Sequence, residues 1–199
     1  MPVAAQPPKQ ERARQTHQRL LDATVQCLET RGYAGTSTAL VCKVAGCSQG
    51  ALFKHFSRKN ALLASAVRCL FSKLVTDYTK SVQGIEPGLD GVRPALRALW
   101  NIFERPALRA VFELYIAAQT DDDLREHLEP VIAAHHANLH TVAALMFPSA
   151  AAQPQFANAI NCIVNALQGM AIGVFTPAPD AVEAQLLYLE NLACAELFS

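Results

Sequence analysis

Residues 37–56 read STALVCKVAGCSQGALFKHF, and this stretch decides how the whole chain is interpreted. The spacing of its apolar residues predicts a helix over 38–45 and a second short helix over 49–55. Between them, Gly46 can adopt the left-handed backbone conformation that a tight turn demands. Ser48 can cap the second helix, since a serine hydroxyl accepts from the free N–H groups of a helix start. Two short helices joined in this way are the sequence form of a helix-turn-helix.

The faces of these two helices differ in chemistry. Apolar residues at helical spacing predict packing onto neighbouring helices, and they are Val41, Val44, Ala45, Leu52 and Phe56. The other face of the second helix is small, polar or basic, which suits a DNA groove. That face comprises Gln49, Gly50, Ala51, Phe53 and Lys54.

Lys59 supports a DNA-binding role independently. It lies in the first turn of a helix predicted over 58–82, where a cation meets the unfavourable end of the helix dipole. We expect Lys59 and the free N–H groups of that turn to hold a DNA phosphate. Thr36 or Ser37, and Ser48, can do the same at their own helix starts. The alternative is a solvated lysine that tolerates the cost.

Composition and charge indicate two modules. Of the 199 residues, 51% are hydrophobic and 17% charged, which excludes a chain that is disordered throughout. The net charge of zero hides an asymmetry: residues 9–60 hold nine Lys/Arg and three Asp/Glu, a net +6, and residues 61–199 carry −6. A basic first quarter on an acidic remainder suggests different partners for the two parts, although chance placement on a solvated surface gives the same count.

The remaining pattern predicts an all-α fold of about nine helices, without strands. We predict a mobile arm over 1–8, a DNA-binding head over 9–60 and an effector-binding and dimerisation domain over 61–199. The helices are expected at 9–31, 38–45, 49–55, 58–82, 93–104, 106–119, 121–147, 155–175 and 180–197, with a loop at 84–91 and a connector at 149–154.

Several classes of site and location are disfavoured. The six cysteines lack zinc-knuckle spacing, and we interpret Cys42 and Cys47 beside the turn as packing residues, with oxidant sensing as the alternative. We find no signal segment, no membrane span and no motif of a common enzyme class, so we expect a cytoplasmic non-enzyme without a cofactor. Acids at 121–123 are interpreted as a helix cap and the histidines 135, 136 and 140 as solvated or pocket residues, with a metal site as the weaker alternative.

The segments GYAGTS (32–37) and AGCSQGALFKHFSRK (45–59) resemble the DNA-binding region of the TetR family of transcriptional regulators. The resemblance covers residues 14–64 and extends weakly to AVFEL (110–114) and DLREHL (123–128). It implies an all-helical homodimeric repressor that binds double-stranded DNA. In this family the first three helices and the start of the fourth bind DNA, later helices enclose a small-molecule effector, and the last two pair with a second subunit.

The resemblance also implies which residues read DNA. Those falling where the family's recognition helix reads the groove are Ser48, Gln49, Gly50, Ala51, Lys54 and His55. Phe53 stands where the family usually has Tyr, and its missing hydroxyl removes one expected phosphate contact. Leu40 and Asn60 replace usual acidic residues, which weakens local capping.

For the effector we predict a small apolar molecule with few polar groups. Aromatic walls and orienting polar groups suit such a pocket, and the candidates are Trp100, Phe103, Phe112, Tyr115, His136, Asn165 and Gln168. At helical spacing the aromatics equally fit a plain core, and the Asn/Gln stripe equally fits a solvated or interfacial face.

For the dimer we predict a four-helix bundle built from the last two helices of each subunit. The candidate interface residues are Ile163, Leu167, Val182, Leu186, Leu189, Ala193 and Leu197. Packing of this apolar stripe within one subunit is the alternative.

The expected mechanism places two recognition helices in successive major grooves, about 34–36 Å apart, on a palindromic operator. Effector binding would change their separation through the fourth helix. The alternatives are a DNA-binding adaptor without an effector or, in another class, a helical enzyme. A helix-turn-helix alone does not separate repressor from activator.

Overall fold

The computed structural model of the chain describes residues 9–173 and 179–198. Within these residues it is all-helical, which confirms the predicted fold class, and it has ten helices. They are α1 (Lys9–Gly35), α2 (Thr38–Ala45), α3 (Gln49–His55), α4 (Lys59–Ser81), α5 (Leu89–Phe103), α6 (Pro106–Ala117), α7 (Asp122–Met146), α8 (Pro148–Ala151), α9 (Phe156–Ile172) and α10 (Pro179–Phe198).

The chain divides into two compact units. The first combines Met1–Leu70 with Ala110–Val131, and the second combines Phe71–Arg109 with Ile132–Ser199. The first unit therefore contains the whole predicted head and also draws on the later helices α6 and α7. The long helices α4, α6 and α7 each contribute residues to both units.

The head has its own apolar core. Residues from α1 to α4 are buried together there: Leu20, Leu21, Ala23, Cys27, Val41, Cys42, Ala45, Leu52, Phe56, Leu62 and Ala66. The predicted packing of Val44 was wrong, because α2 turns Val41, Cys42 and Ala45 inward and leaves Val44 42% exposed. A helix of eight residues buries one narrow face, and Val44 lies beside it.

Gly32 ends the regular part of α1, as expected of a glycine that directly follows the helix predicted over 9–31. Its backbone (φ 66°, ψ −177°) lies in a region that essentially only glycine adopts. An added Cβ would also meet Glu113 Oε2 at 2.6 Å. That carboxylate accepts the Tyr33 N–H at 2.6 Å, so the kink is held by a side chain of α6.

Replacing Gly32 by Ala is expected to lower the free energy of unfolding by about 2–3 kcal/mol, since it combines a glycine-only backbone with loss of the Glu113 contact. Gly46→Ala is the matched control. Its φ of 63° is also left-handed, but ψ is 42° and a Cβ there meets nothing within 4 Å, so the expected loss is only about 1 kcal/mol. Urea unfolding measures both variants, and equal losses would show that the Gly32 backbone relaxes freely.

Two predicted connectors were partly wrong. The loop predicted over 84–91 ends earlier, because α5 begins at Leu89 and Pro94 is its sixth residue instead of its second. Gly91 is helical and serves close packing, since a Cβ there would lie 2.3 Å from the Glu86 carbonyl oxygen. The connector predicted over 149–154 contains the short helix α8, which Pro148 can start because it has no N–H to satisfy. The predicted end of the helix 155–175 lies outside the described residues.

In the second unit, α10 packs on α5 and α9. Leu186, Leu189, Ala193 and Leu197 of α10 are buried on this side. The carboxylate of Glu190 lies in the same face, only 1% exposed, and pairs with two arginines of α5. Arg97 contacts Glu190 Oε1, and Arg93 Nε lies 3.0 Å from Oε2. These ion pairs connect α10 to α5.

Candidate nucleic-acid interface and cavities

Backbone geometry builds the turn between α2 and α3. Gly46 caps α2 in the left-handed conformation, and its N–H donates to the Cys42 carbonyl oxygen. Ser48 then caps α3, with its hydroxyl accepting the Ala51 N–H at 3.2 Å. The predicted helix bounds, the glycine turn and this cap are all present, so α2 and α3 form the predicted helix-turn-helix.

The short helix α3 has one buried and one exposed side. Leu52 is fully buried in the head core and anchors the helix. Most of the predicted groove-reading residues lie exposed on the other side, namely Gln49, Gly50, Phe53 and Lys54, with Ala51 half-buried. Phe53 is 48% exposed. This arrangement leaves a polar and basic helix face free for a partner.

His55 closes the end of α3 and faces a second histidine. Its ring lies 5.6 Å from that of His17, edge to face, and His17 stacks on Phe56 at 4.8 Å. Burial, and then the neighbouring His55, lower the pKa of His17. His55 is therefore partly built into the head, with the remainder of its ring at the surface.

Thr36 and Ser37 occupy different environments. Ser37 is exposed and caps α2, accepting the Leu40 N–H at 3.2 Å. Thr36 is only 2% exposed, and its hydroxyl donates to the Gly32 carbonyl oxygen at 2.7 Å. The structure thus places Ser37 where a phosphate can reach it and places Thr36 inside the head.

Lys59 lies in the first turn of α4, as predicted, and is half-buried. Its ammonium nitrogen lies 4.8 Å from the centre of the Tyr33 ring, in a cation–π contact. Burial lowers the pKa of Lys59, and the charge of Asp121 opposes that shift. Sequence reasoning missed the contact with Tyr33, for which the sequence holds no short-range signal.

The residues on either side of Lys59 are tied to α7. Arg58 Nη1 donates to Asp123 Oδ1 at 2.5 Å, and the Asn60 amide donates to Asp123 Oδ2 at 2.7 Å. These two hydrogen bonds, Asn60 first, lower the pKa of Asp123. Asn60, expected only to weaken capping, instead helps to fix the start of α4.

The seven predicted effector residues are divided between the two units. Phe112 and Tyr115 belong to the first unit, with ring centres 6.2 Å apart. The other five belong to the second unit, where Trp100 and Phe103 are buried, Gln168 is half-buried, and His136 and Asn165 are exposed.

Described residues of the second unit line two cavities of different size. The larger, about 410 Å³, is lined by Trp100, Glu104, Arg109, Met170, Ala171, Ile172, Gly173 and Val182. The smaller, about 60 Å³, is almost wholly apolar, and one of its lining residues is Tyr78, whose hydroxyl donates to the Ala95 carbonyl oxygen at 3.3 Å. Drug-sized ligands occupy roughly 300–1,000 Å³, so only the larger of these two has the capacity for one as it stands.

The three histidines at 135, 136 and 140 have different surroundings on α7. His135 stacks on Phe71 with ring centres 3.8 Å apart, and burial, then His136, lowers the pKa of His135 to about 4. His140 Nε2 lies 2.8 Å from Asn161 Oδ1, and His136 is exposed. Among residues 9–173 and 179–198, no three His, Cys, Asp or Glu side chains come together as a metal site requires.

The predicted dimer residues lie mostly inside the subunit. All are buried except Val182, which is half-buried and lines the larger cavity. The opposite, exposed face of α10 holds Ala184, Leu187, Tyr188, Asn191, Leu192 and Ala195, and that of α9 holds Asn158, Asn161, Cys162, Asn165, Gly169 and Ile172. We call these twelve residues the outer face; none of them is charged.

No helix of the described part of the chain is both long enough and apolar enough to cross a membrane.

Comparisons with known proteins agree with this geometry. The family model of bacterial regulatory proteins of the tetR family matches residues 20–66, which include the helix-turn-helix. Over 193 residues the chain is 32% identical to an HTH-type transcriptional regulator of Mycobacterium tuberculosis, covering 95% of this chain and 98% of that protein.

Solved structures share the fold across both units. The transcriptional regulator FadR of Bacillus subtilis, in complex with stearoyl-CoA, is 16% identical with a TM-score of 0.63 and covers 92% of this chain and 98% of that one. The multidrug binding protein EbrR, complexed with imidazole, is 19% identical with a TM-score of 0.67 and covers 92% and 95%. The family model matches the helix-turn-helix, and the Mycobacterium relative matches the chain over almost its whole length. The chain therefore belongs to the TetR family of DNA-binding transcriptional regulators.

Proposed function

We propose that the protein is a ligand-responsive repressor that binds a palindromic operator as a homodimer. The observation that carries this proposal is α3, which is anchored by a fully buried Leu52 and presents its polar and basic face outward. The proposed DNA contacts are Ser37, Ser48, Gln49, Gly50, Ala51, Phe53, Lys54, His55 and Lys59, with Thr36 supporting the kink behind them. The basic charge of residues 9–60 favours the DNA phosphates.

Lys54→Ala tests this surface. Loss of one charged contact to DNA is expected to weaken binding by about tenfold and to reduce the slope of log K against log salt by about 1. The matched control is Lys80→Ala, which removes an exposed lysine at the end of α4 in the second unit. Fluorescence anisotropy at several salt concentrations measures both. Equal effects of the two variants would contradict a specific role for α3.

The effector site is proposed in the larger cavity of the second unit. Its volume of about 410 Å³ suits a small molecule, and Trp100 and Met170 give it apolar walls. Polar atoms, among them those of Glu104 and Arg109, make up slightly more of the lining than apolar atoms do. Stearoyl-CoA and imidazole, the ligands of FadR and EbrR, show that proteins of this fold hold molecules of very different size. We therefore propose an effector with an apolar body that lies against Trp100 and Met170 and polar groups that can pair with Glu104 or Arg109.

Fluorescence of Trp100 can report binding in this cavity, since it is the single tryptophan of the chain. Titration with indole, decanoate and 4-octylphenol is expected to change its fluorescence and to release DNA over the same concentration range. Ala171→Leu, which fills this cavity, is expected to weaken binding of the active probe about tenfold or more, and Ala143→Leu, in the smaller cavity, is expected to leave it unchanged. Release by charged sugars or metal ions alone would contradict an apolar effector.

The homodimer is proposed to form through the outer face. The outer face combines four asparagines with large exposed apolar side chains, among them Leu187 and Tyr188. Aromatic and apolar side chains without charged neighbours are typical of the core of a protein–protein interface. Gly169 of α9 faces open space, with nothing of its own subunit within 4 Å of where a Cβ would be, and its missing side chain lets a partner helix approach closely. Two such pairs of helices related by a two-fold axis give the four-helix bundle expected from the sequence.

In this proposal, binding of DNA and binding of the effector are thermodynamically coupled. Helix α4 runs from the first unit, which holds the recognition helix, into the second, which holds the cavity. We propose it as the element through which the effector changes the separation of the two recognition helices. DNA and effector must then weaken each other's binding by one common factor. Tight, simultaneous and uncoupled binding of both would favour a DNA-binding adaptor instead.

A further inference from the structure

Two cysteines lie at the turn of the helix-turn-helix, where Cys47 packs against the core that contains Cys42. Cys42 lies on the buried face of α2, and Cys47 directly follows the capping glycine, Gly46. The Cys47 N–H donates to the Cys42 carbonyl oxygen at 3.0 Å, which closes the six-residue ring of a Schellman motif. In that motif the residue after the glycine packs against the residue whose carbonyl it binds. In this chain both of those residues are cysteines.

The surroundings of the two thiols differ. Cys42 is only 5% exposed and belongs to the core of the head, whereas Cys47 is partly exposed and packs against that core from outside. Burial, and then the proximity of Cys47, raise the pKa of Cys42 to about 11. The more accessible Cys47 therefore meets an oxidant first, and Cys42 lies within reach of the product.

We propose that Cys42 and Cys47 are a redox modification site whose intramolecular disulfide weakens DNA binding. The oxidant is a low-molecular-weight disulfide of the glutathione type. The Cys47 thiolate attacks it, one small thiolate leaves, and a mixed disulfide forms. Cys42 then gives its proton to solvent and attacks Cys47 Sγ, releasing the second small thiolate. Two protein thiols are oxidised by two electrons, and one small disulfide is reduced to two thiols.

The disulfide is expected to weaken DNA binding because Cys47 lies directly before the recognition helix α3. A disulfide holds its sulfurs about 2.0 Å apart, well inside the distance of two thiols in contact, so closing it draws residue 47 toward the core. The next residue, Ser48, caps α3 and fixes where the recognition helix begins. A shifted start moves Gln49 and Gly50 with it, and loss of one good base contact lowers affinity by about tenfold or more.

The experiment uses the full chain, equilibrated with oxidised glutathione and then blocked with iodoacetamide. Peptide mapping without reductant is expected to find Cys42 linked to Cys47. Anisotropy on a duplex selected from a random-sequence pool is expected to show about tenfold weaker binding, restored by dithiothreitol. Cys47→Ser is expected to remove both effects. Cys69→Ser, which removes another half-buried cysteine packed against the same core, is the matched control and should retain both.

Absence of the linked peptide in the wild-type chain overturns the proposal without the need for any variant. A linked peptide with unchanged affinity, or a loss of affinity that persists in Cys47→Ser, overturns the role assigned to the pair. Saturating DNA should also lower the equilibrium between disulfide and thiols by the same factor that oxidation lowers DNA affinity. Because mapping does not depend on DNA, failure of this site is distinguishable from failure of the proposed operator recognition.

Discussion

Tyr188→Glu is expected to convert the dimer to a monomer and to weaken operator binding by about 100-fold or more, since tethering two binding heads adds a factor of about 10² to 10⁴. Tyr188 lies near the centre of the outer face of α10 and is 70% exposed in the isolated subunit. A carboxylate there would be buried without a partner at the interface of two copies. Sedimentation velocity and anisotropy measure the two effects.

The matched control for this prediction is Leu145→Glu. Leu145 is 76% exposed, so it is as accessible as Tyr188, but it lies on α7 outside the outer face. We expect this variant to remain dimeric and to bind DNA as the wild type does, and circular dichroism verifies that both variants are folded. Dissociation of both variants, or of neither, would contradict the outer face as the dimer interface.

The second large effect is expected from Glu190→Ala, which should lower the free energy of unfolding by about 2–3 kcal/mol. Removing one member of a buried ion pair costs about 3–5 kcal/mol. The cost here is lower, because both partners, Arg93 and Arg97, reach water. Glu190→Gln keeps the packing and isolates the part of the loss that is due to charge.

Glu183→Ala is the control for Glu190. Both carboxylates pair with Arg97 from the same helix, but Glu183 is 63% exposed, so its pair should contribute at most about 1 kcal/mol. Urea unfolding of the three variants measures the ranking. If Glu190→Ala and Glu183→Ala lowered the free energy of unfolding by similar amounts, burial of Glu190 would not make its ion pairs with α5 more stabilising than the exposed pair of Glu183.

Local chemistry explains what could be predicted about the head. Gly46 and Ser48 act within a few residues of themselves, and the turn and the cap of α3 follow from their own backbone and hydroxyl chemistry. The end of the regular part of α1 at Gly32 was predicted for the same reason. The exposed face of α3 was predicted because Leu52 fixes which side of a seven-residue helix is buried.

What could not be predicted depends on contacts between distant parts of the chain. Glu113 and Asp123 reach back to the head from α6 and α7, and no periodicity encodes such contacts. Helix α10 has apolar residues on two sides. The periodicity of the sequence identified one stripe, which we predicted to form the dimer interface, but this stripe is mostly buried within its own subunit. Adjacent histidines presented the same difficulty. His136 was predicted to bind the effector, but the structure leaves it exposed. The neighbouring His135, which lies 100° further around the helix, stacks on Phe71 instead.

The measurement that most directly tests operator recognition by α3 is selection of duplexes from a random-sequence pool with the purified wild-type chain. We expect the enriched sequences to be inverted repeats with half-sites about one helical turn apart, bound at least about 10³-fold more tightly than scrambled duplexes. Lys54→Ala and Tyr188→Glu should each weaken that binding. Enrichment of no sequence, or equal affinity for selected and scrambled duplexes, would contradict operator recognition by α3.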